Sequence, residues 1–309
     1  MEIKLLRRDQ IDDAQWNARV EQSGNGLPYA LTPYLDIVSG RQWEALVSDN
    51  YTAIFPLPFE VKLGLKLYLQ PPFTQQLGMI AEEYSEELEL SFWNAISKNI
   101  NSLHLKTNEF SSINSVESYR VNKRTNFVSS LKSDYQSIQF NYSKSLRKRI
   151  KKATSLYRIE ISEDASFLVS FYRNEMEDRV GLSANQYKTA EKLISYLVKH
   201  KLGNIYQAKN GENIEGILFV INYQNRIINL FGTSNQEGKR NHAMHFILDH
   251  IIKTNCESDK YFDFEGSDLK GVKEFYQSFG PEVRSYSEFE MDRLPLWFRV
   301  FKRVKAVLR

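Results

Sequence analysis

The stretch "YSKSLRKRIKKA", Tyr142 to Ala153, carries six lysines and arginines and no carboxylate. Tyr142, Leu146, Ile150 and Ala153 (or Thr154) recur at the spacing of one helical face, so the stretch reads as an amphipathic helix whose apolar stripe packs. Lys144, Arg147, Lys148, Arg149, Lys151 and Lys152 occupy its other faces. The helix leads into "YRIEIS", which reads as a strand. Two helices follow, Ala165–Glu177 and Gln186–Lys201. Then come the strands "NIYQAKN", "IEGILFVINYQ" and "RIINLFGTS", the last two joined as a hairpin around Gln224-Asn225. A helix at Arg240–Lys253, the strand "YFDFEG", a helix at Leu269–Phe279, the strand "VRSYSEFEM" and a terminal helix from Leu296 complete the order. Antiparallel strands followed by strand, helix, strand, helix and strand describe an α+β fold with a mixed sheet, not a doubly wound unit.

Working back from Tyr142, the polar segment "KSDYQSIQFNYSKS" separates this half from an earlier one, with the boundary near Gln139. The expected domains are therefore 1–139 and 140–309. In the first, "EIKLL" is a strand, Asp12–Gln22 a short helix, and "WEALVSDNYTAIFPLPF" two strands around an Asp49-Asn50 turn. Leu65, Leu67 and Leu69 alternate up to Pro71-Pro72, which cannot continue a ladder. Glu82–Ile100 reads as a helix, and "SLHLKTN" and "YRVNKRTNFVSSL" as strands.

The chain has 309 residues, 42% of them hydrophobic, enough for two cores. No apolar run approaches bilayer length, and the start lacks the apolar stretch of a signal peptide. The single cysteine, Cys256, excludes an internal disulfide framework and fits a cytoplasmic protein. Net charge is +3, but Tyr142–Arg158 holds seven basic residues and Leu296–Arg309 five, neither with an acid. The rest is acidic, 29 basic against 38 acidic residues, which excludes a generally basic nucleic-acid coat. The Tyr142 helix bears no Asn or Gln to read base edges, so duplex DNA is not an expected partner.

The order of elements resembles the GNAT acyltransferase fold. "YSKSLRKRIKKA" followed by "YRIEIS", and "FDFEGSDLKGVKEFYQSFG" (262–280), resemble the corresponding stretches of the Fem-type aminoacyltransferases and related acetyltransferases. The resemblance implies two tandem GNAT-like domains, each a mixed, largely antiparallel sheet flanked by helices, with a cleft between them and a degenerate first domain. It also implies transfer of an acyl or aminoacyl group to a small-molecule or peptide amine, possible acceptors including cell-envelope components. Acyl-CoA and aminoacyl-tRNA both stand as donors. Two features depart from the family pattern. The segment "GTSNQEGKRNHAMHF" has Gly238 alone where a phosphate loop sets glycines close together, so Lys239 and Arg240 are the side chains left to meet phosphate. Tyr276 stands where Fem-type members commonly have lysine, and it matches the tyrosine that protonates the leaving thiolate in ordinary GNAT enzymes.

Transfer to an amine needs a base for the ammonium and support for the oxyanion. Asp263 and Glu265 alternate with Phe262 and Phe264, so they share one strand face and, with Tyr276, are the catalytic candidates. A salt-bridged pair and plain packing are their structural alternatives. Gly238, Lys239, Arg240, Arg147 and Lys148 are the cofactor candidates, a solvated face being the alternative for the last two. Arg179, in "DRVGLS", and Gln75 and Gln76, in "QPPFTQQLGM", are the substrate candidates. His242, His245 and His250 lack a suitably spaced carboxylate, and no metal is expected. The terminal helix, 295–309, is expected to pack on the first domain, with a membrane surface as the other reading. A catalytically inactive GNAT-like binding module and a peripheral membrane protein are the rival functions.

Overall fold

The computed structural model describes residues 2–266 and 269–298. The chain forms two compact units, Met1–Arg124 with Ser285–Arg309, and Thr125–Arg284. The boundary expected near Gln139 thus falls earlier, and the chain from Ser285 returns to the first unit instead of staying in the second.

In chain order the first unit contains β1 (Ile3–Arg7), α1 (Asp13–Gln22), α2 (Thr32–Ser39), β2 (Trp43–Ser48), β3 (Ala53–Lys62), β4 (Leu65–Leu69), β5 (Ile80–Ala81), α3 (Glu86–Asn99) and β6 (Ser102–Lys106), and β7 (Arg120–Ser130) leads out of it. Asp12 starts α1 because its carboxylate accepts from the N–H groups of Ala14 and Gln15, which the first helical turn leaves unpaired. The Asp49-Asn50 turn forms as expected, with Asn50 left-handed at φ 53°. β1 to β4 pair consecutively and antiparallel, β4 pairs parallel with β6, and β5 pairs antiparallel with β3. Trp16, Trp43, Phe55, Phe92 and Trp93 fill the interior.

The second unit continues with α4 (Tyr135–Phe140), α5 (Lys144–Thr154), β8 (Arg158–Ser162), α6 (Ala165–Val180), α7 (Ala184–Lys199), β9 (Gly203–Asn210), β10 (Asn213–Tyr223), β11 (Arg226–Ser234), α8 (Gln236–Asn241), α9 (Ala243–Thr254), β12 (Tyr261–Asp263) and α10 (Lys270–Gln277). Last comes β13 (Glu282–Asp292), whose residues 288–292 pair antiparallel with β6 and so belong to the first unit's sheet. β8, β9, β10 and β11 form an antiparallel run, β12 pairs parallel with β11, and β7 closes antiparallel on β12.

The stripe read on α5 is the buried one: Tyr142, Leu146, Ile150 and Ala153 join Phe127, Phe262, Phe264 and Phe279 in one core. Two elements differ from expectation. The single helix expected at Arg240–Lys253 is two, broken at His242, whose φ of 68° is left-handed. The strand "YFDFEG" stops at Asp263 because Glu265 also turns left-handed, at φ 57°.

Residues 299–309 of the expected terminal helix lie outside the described residues. Just before them, Leu294 and Phe298 are buried with Leu67 of β4, inside the first unit. Among the described residues no helix is long and apolar enough to cross a membrane.

Candidate active site

The site is built where β11 and β12 part. Their parallel pairing ends at Ile228 and Asp263. At the same level β11 carries one residue more than β10: Phe231 faces Phe219 and Asn229 faces Val220, so Leu230 bulges out of the ladder. Such a bulge re-aims side chains and ends pairing. Here it leaves Asn229 directed toward α10.

Asp263 closes β12. Its carboxylate is 2% exposed and accepts from the Arg226 guanidinium at 2.7 Å and from the Asn126 amide at 3.3 Å. Arg226 is itself buried, so this is an ion pair inside the sheet. Its other oxygen accepts from the backbone N–H of Glu265 at 2.9 Å, which folds the chain into the turn after the strand. Gly266 is needed in that turn, because a Cβ there would lie 1.7 Å from the Thr125 carbonyl oxygen. Asp263 and Glu265 therefore do not share a strand face. Asp263 is a buried brace, and Glu265, half-buried, follows it in the turn. Phe262 and Phe264 do fall together as expected, both fully buried with ring centroids 4.7 Å apart.

Tyr276 projects from α10. Asn229 Nδ2 donates to its Oη at 3.0 Å, and its ring packs against Phe264 at 5.4 Å. Burial, and then the charge of Glu265, push the phenol well above its ordinary range. Tyr276 thus holds its proton at neutral pH, and because Asn229 uses the oxygen as an acceptor, that proton is available to donate. Tyr172 of α6 stacks on Phe231 at 4.0 Å and completes the aromatic surround. Asn229, Arg226 and Tyr172 were not singled out in the sequence.

The expected cofactor residues fall into two places. In α8 the side chain of Asn235 accepts from the Gly238 N–H at 2.8 Å. A Cβ on Gly238 would meet the Glu215 carbonyl oxygen at 2.0 Å, so this glycine lets α8 lie on β10. Lys239 pairs with Glu175 at 3.3 Å and Arg240 with Glu237 at 2.6 Å. Both cations line a cleft of about 710 Å³ between α6 and α8 that also takes in Arg179, the expected substrate contact. Glu177 and Asp178 are on the same wall, so the cleft carries both signs of charge. On α5, Arg147 donates to the Phe140 carbonyl at 3.0 Å and so satisfies the end of α4, while Lys148 is exposed.

Gln75 and Gln76, expected to line a binding wall, are buried at 9% and 1% exposure. Gln76 donates to the Gln75 oxygen at 2.7 Å and accepts from the Glu109 N–H at 2.8 Å. Both glutamines brace a loop of the first unit.

Of the histidines, Arg149 donates to His245 Nε2 at 3.4 Å, and burial pushes the His245 imidazole down to about 3. His242 packs edge-on against His245, and His245 against Phe275.

Residues 141–277 match the family model of the acetyltransferase (GNAT) domain. No curated protein matches the chain in sequence. Among solved structures the chain is similar to FemX, with a TM-score of 0.67 and 12% identity over 93% of this chain and 97% of that one. It is similar to the C-terminal domain of a protein described as a lysylphosphatidylglycerol synthetase from Agrobacterium fabrum, with a TM-score of 0.54 and 12% identity over 96% and 97%. A GNAT-family acetyltransferase from Colwellia psychrerythraea aligns with a TM-score of 0.52 and 10% identity over 94% and 100%. Residues 141–277 are thus similar to the GNAT acetyltransferase domain, and the α+β fold of the chain is shared with FemX.

Proposed function

We propose that the protein is a Fem-like N-acyltransferase that moves an acetyl or aminoacyl group from a CoA thioester or a charged tRNA to an amine acceptor. The observation that carries this reading is the Tyr276 phenol, kept protonated by burial and by Glu265, oriented by Asn229, and set beside the place where β11 and β12 part.

Glu265 accepts a proton from the acceptor ammonium, and the neutral amine attacks the acyl carbon. The tetrahedral intermediate collapses by breaking the bond to sulfur in a thioester or to the ribose oxygen in a charged tRNA; Tyr276 gives its proton to the departing atom, and its phenolate takes up the second proton that the attacking nitrogen sheds as the amide forms. Asp263 positions Glu265 through the backbone N–H it accepts. The similarity to a protein named for lysylphosphatidylglycerol supports keeping the aminoacyl donor beside the thioester.

Thermal denaturation of the full chain in the presence of acetyl-CoA, longer acyl-CoAs and charged tRNA separates the donors, because only a bound donor raises the melting point. A rise with one class, together with turnover on an amine panel that Tyr276→Phe abolishes, is the expected result. No rise and no turnover would overturn the proposal. The second reading, a binding module that has lost transfer, is supported by α8, whose N–H and cations are already partnered. Turnover that depends on Tyr276 rejects it.

A further inference from the structure

We propose that His104, Glu288 and Glu290, in the first unit, bind a first-row divalent transition-metal ion such as zinc. The three project from the same face of the β6–β13 ladder, where Glu290 stands directly opposite His104 and Glu288 two residues along. His104 Nε2 lies 2.9 Å from Glu288 Oε1 and 3.8 Å from Glu290 Oε1, and one ligand atom from each residue falls within 4.8 Å of the others. Ligands at about 2.0–2.2 Å around a tetrahedral ion are about 3.3 Å from one another, so small side-chain rotations close the site.

The surroundings orient the carboxylate of Glu288. Glu288 is 1% exposed, and its other oxygen, Oε2, accepts from Arg124 Nε and Nη2 at 3.0 and 2.6 Å. Oε2 of Glu290 faces Arg120 at 3.9 Å. Glu288 is therefore tied by Arg124 at one oxygen and turned toward the imidazole with the other, the arrangement that outer partners impose on metal ligands, while Arg120 stands near Glu290 without hydrogen-bonding it. A cavity of about 460 Å³ opens over His104 and Glu290 beside Ser102 and Ser118, which leaves room for water as a fourth ligand. An imidazole nitrogen with two carboxylates selects a transition metal over magnesium or calcium, which take oxygen ligands. The ion ties β6 to the returning strand and is independent of the acyl-transfer site.

The test uses tag-free full-length protein stripped with chelator. Zinc is titrated by calorimetry and cobalt(II) by its visible absorption. One ion per chain, a cobalt spectrum of low coordination number, and a melting point raised by the metal are expected. His104→Ala and Glu290→Gln each weaken binding by at least about tenfold. His104 is half exposed, so its replacement leaves no buried cavity. Absence of saturable binding would mean that the imidazole serves only as an ion-pair partner of the two carboxylates. That result overturns the proposal, as does binding that both variants leave unchanged.

Discussion

The start of α8 and the end of β12 are where unit two concentrates polar chemistry, and they spend their hydrogen bonds differently. At α8 the Gly238 N–H is taken by Asn235, Lys239 by Glu175 and Arg240 by Glu237. At β12 the hydrogen bonds of Arg226, Asn126 and the Glu265 N–H are gathered on Asp263, while Tyr276 accepts one hydrogen bond with its own proton still to give. A group whose partners are all internal holds the fold. A group oriented by one partner is ready for a substrate.

The sharpest way to break this contrast is at Tyr276. Removing a positioned general acid costs about 10²- to 10⁴-fold in rate, so Tyr276→Phe is expected to lower turnover by that amount on whichever donor binds. Because the phenol is raised well above its ordinary range, the pH profile of the remaining activity should keep its shape through neutral and mildly alkaline pH. Urea unfolding should move little, because the ring and its contact with Phe264 remain. A variant with full activity would put the chemistry elsewhere.

Asp263 tests the other side. Removing one partner of a buried ion pair costs about 3–5 kcal/mol, because the remaining charge is stranded. Asp263→Asn and Arg226→Met are each expected to lower unfolding free energy by that order, measured in urea. Arg226→Met combined with Asp263→Leu should recover most of it. Loss of turnover in Asp263→Asn at unchanged stability would make Asp263 a catalytic group and erase its difference from Glu265.

What could be read in advance follows the range of the interaction. The α5 stripe is a relation among residues one turn apart, and Tyr142, Leu146, Ile150 and Ala153 all pack as the spacing requires. The Asp49-Asn50 turn and the Gln224-Asn225 hairpin are equally local, and both form. Asp263 could not be resolved because its partner, Arg226, lies on a neighbouring strand and nothing in "YFDFEG" points to it. The left-handed turn at Glu265 broke an alternation that would otherwise have carried both acids on one face. The break at His242 was hidden for a related reason: only the fold makes a non-glycine residue adopt positive φ there. The burial of Gln76 was not legible because a polar, proline-bounded loop usually lies at the surface, and here it turns inward onto the Glu109 backbone. The return of β13 to β6 joins residues far apart in sequence, which no local pattern records.

At Gly238 the effect is smaller and purely structural. A methyl group there meets the Glu215 carbonyl oxygen at 2.0 Å, so α8 must shift. Overpacking of this kind costs about 1–3 kcal/mol, and Gly238→Ala is expected to show it in urea unfolding. A variant of full stability with weakened donor binding would instead return this glycine to the role of a phosphate loop.

His245 adds a pH signature to the same unit. Its imidazole takes a proton at about 3 in the folded chain against an ordinary value of 6.5, mainly because burial disfavours the charged form. Between those values the unfolded state binds more protons, so this residue makes stability fall as pH drops from 6.5 toward 3. His245→Gln should flatten that part of the curve relative to the parent protein, read from melting points across the window. An unchanged slope would mean that the ring is not held neutral against Arg149.

The least effect is expected at Lys239 and Arg240, and it bears most directly on how a donor is held. Each is paired across exposed surface, where ion pairs contribute about 0.2–1 kcal/mol. The double replacement by alanine should therefore leave the melting point nearly unchanged. If their partners, Glu175 and Glu237, keep them engaged when a donor is present, donor affinity should change by less than about threefold and keep its salt dependence. A large loss of affinity, with a flatter response to salt, would show that donor phosphates compete successfully with those two carboxylates. The cations of α8 would then belong with Tyr276 among the groups the fold presents, and only Asn235 and Gly238 would remain with Asp263 among those it consumes.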